Sequence, residues 1–582
     1  MRPIHVICLA LFVAAARAQE EPGTPAGAGR LDAGDRAYAS WELLRGGQPF
    51  QEELFRLGWP TSKAWQRLTL ELAGEPGSRM VQATLASGAG MRLSASEYER
   101  SRAERLSRAG EAVQGPAALL RREILAYRSI AGLPAEVNIP GGFDPTFLPA
   151  WRAEAKTTRP WAEDDLGSWA WVEPQAPTYR LDTLGFTLLA EVEYARQQLS
   201  YERTEDLAGR KTKYLGRTGR DGFFGLLALH SAVAKALELK SLVFDLKTLG
   251  ITSTSEPLKL DELRFFFGAG WTSTVGADGR ISHVSLQGSD WERSYLRGQA
   301  AVLLGLCNLA ALCDPTAPAP LPDLFKPRQL AGQNVPMFEK ETFATVVELA
   351  IYTFRSLRTL HVDVRDGRAI SVSGGRTITA ADLGLYLCAI EAFRNVTPPT
   401  GPAVQGPQAS LWKDLQDEQG KGRTLLNALS EQVRSWDDQR DPGVYDVYDV
   451  KSNQRATRTR SLASQAMCVR GLMAAHRGLA RGAPRSPYSV TAERLLRYLE
   501  RDRWVAATGA YLEPKSGAGA RSTSLLGAAA VLGALRETAL AGDGRALLRY
   551  QQCLEGLSQR GLYAPPADRA PPSLAGELRG ES

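Results

Sequence analysis

The stretch from Thr379 to Arg394, Thr-Ala-Ala-Asp-Leu-Gly-Leu-Tyr-Leu-Cys-Ala-Ile-Glu-Ala-Phe-Arg, constrains the fold more than any other. Thr379 and Asp382 have the spacing of a capping box, with an acid in the first turn where the helix dipole favours it. Leu383, Tyr386, Leu387, Ile390 and Phe393 recur at helical spacing. The opposite face is not polar, because it carries Gly384, Leu385, Cys388 and Ala389. A helix that is apolar or small all round is buried on both sides. Ahead of it, Asp366-Gly367-Arg368 lies between short β-prone runs, as in a hairpin turn.

That unit of turn, short strand and buried helix recurs. Thr178 to Arg196 has the same order of Thr, Asp182, Gly185 and an apolar helix. Asp278-Gly279 precedes a helix from Arg297, Gly443-Val-Tyr445 one from Arg460, and Gly509-Ala-Tyr511 one from Arg521. The spacing is irregular, roughly 65 to 90 residues, longer than the short solenoid periods. Between these helices lie amphipathic ones, at about 339–360, 423–436, 488–503 and 545–559, whose charged faces belong outside. Inner helix alternating with outer helix predicts an all-α fold, an (α/α) toroid with short β-hairpins in its loops. An open α-solenoid is the alternative, and it has less need of inner helices this apolar.

The same pattern divides the chain. Residues 1–18 read as a signal peptide: Arg2, the apolar run Val6 to Ala16, then the cleavage signature Ala16-Arg17-Ala18, giving a mature start at Gln19. This predicts a secreted or periplasmic protein with no membrane span after signal cleavage. Residues 19–136 read as a flexible leader and a helical N-terminal extension, 137–563 as the toroid, and 564–582 as a disordered tail.

A formal charge of +6 over 582 residues, without a long Lys/Arg run, gives nothing to track a phosphate backbone, so nucleic acid is not expected as a partner. Cys8 leaves with the signal, and the other five cysteines sit in apolar helical patterns as buried small hydrophobes. No His, Cys or carboxylate set has metal-ligand spacing, so neither a metal nor another cofactor is expected.

Carboxylates at the mouths of the inner helices carry what chemistry the sequence offers. Asp182, Asp382, Asp290 and Glu292 are the candidate catalytic groups. Glycoside cleavage needs one carboxyl protonated and one ionised. Asp182 and Asp382, at helix starts, suit the ionised role, and Asp290 or Glu292 beside Trp291 the protonated one. Both aspartates are well explained as helix caps alone, and that is the favoured reading of the two. From Pro140 to Tyr179, indoles including Trp169 and Trp171 gather among Pro, Gly and acids. They read either as rings plugging one mouth or as a platform for sugar rings. Trp291, Arg297, Tyr445 and Asp446 complete the candidate substrate-binding set, with a polysaccharide or oligosaccharide as partner.

Ser294-Tyr-Leu-Arg-Gly-Gln-Ala300, followed by an apolar helix, resembles the Arg-Gly-Gln-Ala turn of the six-hairpin toroids, such as the unsaturated glucuronyl hydrolases. Those enzymes carry Trp after the Ala, where this chain has Ala301. Thr379 to Leu387, and more loosely Thr178 to Leu188, resemble helix starts of the glucoamylase-like toroids of bacterial glucan-processing proteins. The resemblance implies the toroid fold and a carbohydrate-active protein, either a glycoside hydrolase or lyase or a non-catalytic toroid that binds glycan or a protein partner. It assigns no catalytic residue.

Overall fold

The computed structural model describes residues 33–59, 178–198, 293–314, 342–363, 365–398, 408–437, 442–480, 485–513 and 521–559, with scattered positions in 60–81, 203–286, 328–335 and 577–580, and Ala483. In chain order its helices are α1 (Ala33–Gly46), α2 (Gln48–Arg56), α3 (Leu181–Gln198), α4 (Leu296–Cys313), α5 (Thr342–Leu360), α6 (Ala380–Arg394), α7 (Ala409–Trp436), α8 (Leu462–Leu479), α9 (Pro487–Asp502), α10 (Leu525–Leu540) and α11 (Gly544–Gln559). Helix α1 packs on α3, α3 on α4, α4 on α6, α6 on α8, α8 on α10, and α10 back on α1. Six inner helices therefore close a ring. Helices α2, α5, α7, α9 and α11 each pack outside the inner helix that precedes them. The described helical positions between 225 and 237 pack on α3 through a buried ion pair, Lys235 Nζ to Glu191 Oε1 at 2.5 Å. The fold is an all-α (α/α) toroid.

Small residues make the ring possible. A Cβ on Gly384 of α6 would stand 2.3 Å from the Met467 carbonyl oxygen of α8. One on Gly185 of α3 would stand 2.5 Å from the backbone of Ala301 and Val302 in α4. The inner helices thus touch backbone to backbone, which explains why their small residues are not confined to one face. Helix α4 is the described helix long and apolar enough to cross a membrane, and it lies buried within the ring.

Three boundaries differ from the sequence expectation. Helix α1 falls in the region read as an N-terminal helical extension, yet it fills the ring position between α10 and α3. Its charges Arg36 and Glu42, which suggest a solvated face, are buried. Helix α7 starts well before 423, because Trp412 and Leu415 bury a face across a stretch that otherwise reads as polar. In the tail, Glu577–Gly580 pairs antiparallel with Arg521–Ser524, whose backbone has no other strand beside it among the described residues.

Short sheets lie at the N-terminal ends of the inner helices. Thr178–Arg180 pairs with Gly270–Val275, which pairs with Ile281–Leu286, and Thr377–Thr379 pairs with Val447–Asp449. The turn at Asp366-Gly367 forms as expected, with Gly367 at φ +64°.

At this end the helix starts are completed by the next repeat. The Leu296 N–H of α4 donates to the Ser371 carbonyl at 2.8 Å, and the Ala380 N–H of α6 to the Asp446 carbonyl at 2.9 Å. The Leu462 N–H of α8 donates to both carboxylate oxygens of Glu513 at 3.0 Å. These are N–H groups that no helix can satisfy from within.

The ring axis is not an open channel. Tyr38 of α1 packs edge-on against Phe186 of α3 at 5.2 Å, and its hydroxyl meets the Met467 sulfur of α8. Beneath them the Arg470 guanidinium lies 4.9 Å from the Trp41 ring. Glu42 of α1 pairs there with Arg470 of α8 at 2.5 Å and Arg536 of α10 at 2.9 Å, all three buried. This layer divides the axis into an N-terminal mouth and a C-terminal cavity.

Candidate active site

At the N-terminal mouth the first turns of α1, α3, α4 and α6 bring their charges together. Arg180, at the end of its strand, forks onto Asp182, with Nε to Oδ1 at 3.1 Å and Nη2 to Oδ2 at 2.6 Å. The Thr183 N–H adds a bond to Oδ1 at 2.9 Å. Arg297 of α4 reaches the same carboxylate through Nε at 3.4 Å and Asp35 of α1 through Nη2 at 2.9 Å. Its guanidinium lies 5.6 Å from the Phe186 ring, on the mouth side of the aromatic layer.

Asp382 stands in the first turn of α6, within reach of the Arg297 charge. Thr379 caps α6 by accepting from the Asp382 N–H at 3.2 Å. The reciprocal half of the expected capping box is replaced by a relay through Ser371. The Thr379 N–H donates to Ser371 Oγ at 2.9 Å, and Ser371 Oγ donates to Asp382 Oδ2 at 2.8 Å. Asp382 thus keeps its first-turn position while its carboxyl turns toward the mouth rather than back along the chain.

The two aspartates are driven apart. Burial would raise Asp182, but the Arg180 and Arg297 guanidiniums and the Thr183 N–H hold its carboxyl below the ordinary aspartate range. Burial raises Asp382, and the bonds from Thr379 and Ser371 and the charge of Arg297 offset this only in part. The Asp182 charge adds to the rise. The helix dipole suggests an ionised carboxylate at both positions. At Asp382 burial and a neighbouring like charge outweigh it.

Of the other candidates, Asp446 is spent on structure. Its Oδ1 accepts from the Ser461 N–H at 2.8 Å and the Ser461 hydroxyl at 2.7 Å, fixing the cap of α8. Tyr445 is stacked against Arg460 at 4.0 Å and Arg455 at 4.8 Å, and its hydroxyl accepts from Arg455, so guanidiniums already occupy its ring. Trp169, Trp171, Asp290, Trp291 and Glu292 lie outside the described residues, as do residues 1–18. Asp35, Arg180 and Ser371 were missed by sequence reasoning. Asp35 has a readable signal, an acid in the first turn of a helix with small residues, the pattern that singles out Asp182 and Asp382.

A buried Ser–His pair anchors the loop ahead of Arg297. His361 Nδ1 lies 2.9 Å from the Ile370 carbonyl, which only accepts, so Nδ1 carries the proton. Nε2 then accepts from Ser294 Oγ at 2.8 Å. Burial pushes the imidazole down from 6.5 to about 4, against the opposing Ile370 carbonyl. The unfolded chain therefore binds this proton first as pH falls. The contribution to stability is whole above pH 6.5 and is lost as pH drops toward 4, about 3 kcal/mol in all. Chemical denaturation at a series of pH values should show this fall, with a shallower slope in His361→Gln. Identical slopes in the two proteins would remove His361 as the cause.

No protein-family model and no curated protein matches the chain. Among solved structures it is weakly similar to a cellobiose 2-epimerase from Bacillus thermoamylovorans B4167, at 11% identity and a TM-score of 0.29. That alignment covers 56% of this chain and 61% of the epimerase, so less than two thirds of the epimerase is spanned. It is also weakly similar to a D-mannose isomerase, at 11% identity and a TM-score of 0.35, over 66% of this chain and 77% of that one. The closed helix ring stands on its own packing, independent of these distant likenesses.

Proposed function

We propose that this chain is an exported carbohydrate-active protein that cleaves glycosidic bonds at the N-terminal mouth of its ring. The observation that carries the reading is the pair of aspartates on α3 and α6, the inner helices that flank α4, shifted in opposite directions with the α4 guanidinium of Arg297 acting on both. Carboxyls separated in this way take different roles in proton transfer. Asp382, held toward the protonated form, donates a proton to the leaving oxygen. Asp182 is saturated by Arg180, Arg297 and Thr183, so it serves as the fixed charge that keeps Arg297 in place and adds to the upward shift of Asp382. The group that activates water or attacks the sugar then falls to Asp290 or Glu292, just ahead of Arg297 in the chain, the reverse of the roles that helix position suggests for Asp382 and for this pair. The strand Thr178–Arg180, which carries Arg180 at this mouth, follows the Trp-rich stretch in the chain, and flat rings suit sugar faces.

Asp382→Asn tests the assignment, because Asn preserves the helix start while removing the transferable proton. Reducing-sugar release from a panel of oligosaccharides and polysaccharides should fall by a factor of about 100 or more, the scale of general-acid catalysis. The melting temperature should stay close to that of the parent. Full turnover in Asp382→Asn would end the assignment. A second reading, a non-catalytic toroid that binds glycan or a protein partner, is supported by the aromatic layer that closes the axis below the mouth. Saturable glycan binding without product from the parent protein would decide for it.

A further inference from the structure

The far side of that layer holds a cavity of about 460 Å³, lined by the C-terminal halves of all six inner helices. Its wall has two halves. Along α4 and the end of α6 it is largely apolar, with Leu304, Cys307, Ala392 and Val396, and Asn308 the polar group on α4. Along α8, α10, α1 and α3 it is ionic, and there the guanidiniums of Arg477, Arg45 and Arg196 are partly exposed.

The hydrogen-bond inventory of the ionic half is lopsided. Glu537 takes contacts from Arg477, from Arg536 at 3.2 Å and from Arg45 at 3.5 Å, and these charges hold its carboxyl far below the usual glutamate range against the effect of burial. Glu391 accepts from Asn395 at 2.8 Å and Arg477 at 3.5 Å, and Glu193 from Arg196 at 3.1 Å and Gln197 at 3.2 Å. Those three carboxylates are spent, and Glu53 of α2 is the further carboxylate in the wall. The guanidiniums are not, since each has five N–H donors. Among the described residues Arg196 uses one on Glu193, and Arg45 makes a single ion pair. Arginines in last turns offset the negative ends of the helix dipoles, but that role needs no open space in front of them.

We propose that this cavity is a second binding site, distinct from the mouth, that takes a small organic carboxylate with an apolar body. The carboxylate accepts from Arg196 and Arg45, and the body lies against Leu304, Cys307 and Val396. The volume is within the range of small-molecule sites.

Titration calorimetry of the full chain with benzoate, phenylacetate and hexanoate tests it, with inorganic phosphate and benzyl alcohol as comparisons. At least one carboxylate should bind saturably. Affinity should drop about tenfold in Arg196→Gln, the scale of one charge-assisted hydrogen bond. Ala311→Trp, which fills the cavity from α4, should abolish binding while leaving glycan turnover at the mouth unchanged. The site is overturned if no carboxylate binds, or if Arg196→Gln or Ala311→Trp binds like the parent. It is also overturned if phosphate or benzyl alcohol binds as tightly as the carboxylates.

Discussion

Glu42→Gln is expected to destabilise the protein by about 3–5 kcal/mol, the cost of leaving a buried charge without its partner. Here Arg470 loses the carboxylate it pairs with, and Arg536 is left with Glu537 at 3.2 Å. Arg470 of α8 and Arg536 of α10 both meet the Glu42 carboxylate in the centre of the ring, 2.5 Å and 2.9 Å away, and all three are buried. Glutamine keeps the shape and one carbonyl acceptor but cannot neutralise either guanidinium. Since whole domains are stable by only about 5–15 kcal/mol, this change alone removes a large share. Removing all three charges together, as Glu42→Gln with Arg470→Met and Arg536→Leu, should recover much of the loss, because no lone ion is then buried. Urea denaturation of the single and triple variants measures both. A single variant as stable as the parent would mean that water reaches the axis.

Gly384→Ala is expected to cost about 3 kcal/mol, the upper end of the overpacking range, although alanine is the better helix former. The sign is set by what the new methyl meets. At 2.3 Å and 2.4 Å its neighbours are the carbonyl oxygen and carbon of Met467, backbone atoms of a helix that cannot rotate aside. Gly420→Ala is the matched control. Gly420 lies within α7 with nothing within 4 Å of its added methyl, so the same substitution should stabilise by roughly 0.5–1 kcal/mol. Melting curves of the two variants should move in opposite directions. If both rise, the contact between α6 and α8 is looser than described.

The inner helices were legible because close contact on every side leaves its mark on composition. Gly384, Leu385, Cys388 and Ala389 opposite an apolar stripe have no solvent-facing explanation. The outer helices were legible from their amphipathic period. Helix α1 was not, because Arg36, Glu42 and Arg45 have the charge pattern of a solvated helix. A sequence displays charges but not the arginines of α8 and α10, more than 400 residues away, that make burial of Glu42 tolerable. At the mouth, Thr379 and Asp382 announce the helix start and Arg297 follows from its Arg-Gly-Gln-Ala turn. The direction of the Asp382 shift depends on burial and on a carboxylate two ring positions away, neither of which has a local signature.

The completion of three helix starts, those of α4, α6 and α8, by the following repeat bears on how the chain is made. Synthesis runs from the N-terminus, so α4, α6 and α8 each emerge with a first N–H whose acceptor has not yet been translated. Helix α1 waits longest, since Arg536 near the C-terminus is half of what its Glu42 requires. A growing chain built this way lacks these contacts until the later repeats have been made. Its ring contacts come into place only when nearly all of it exists.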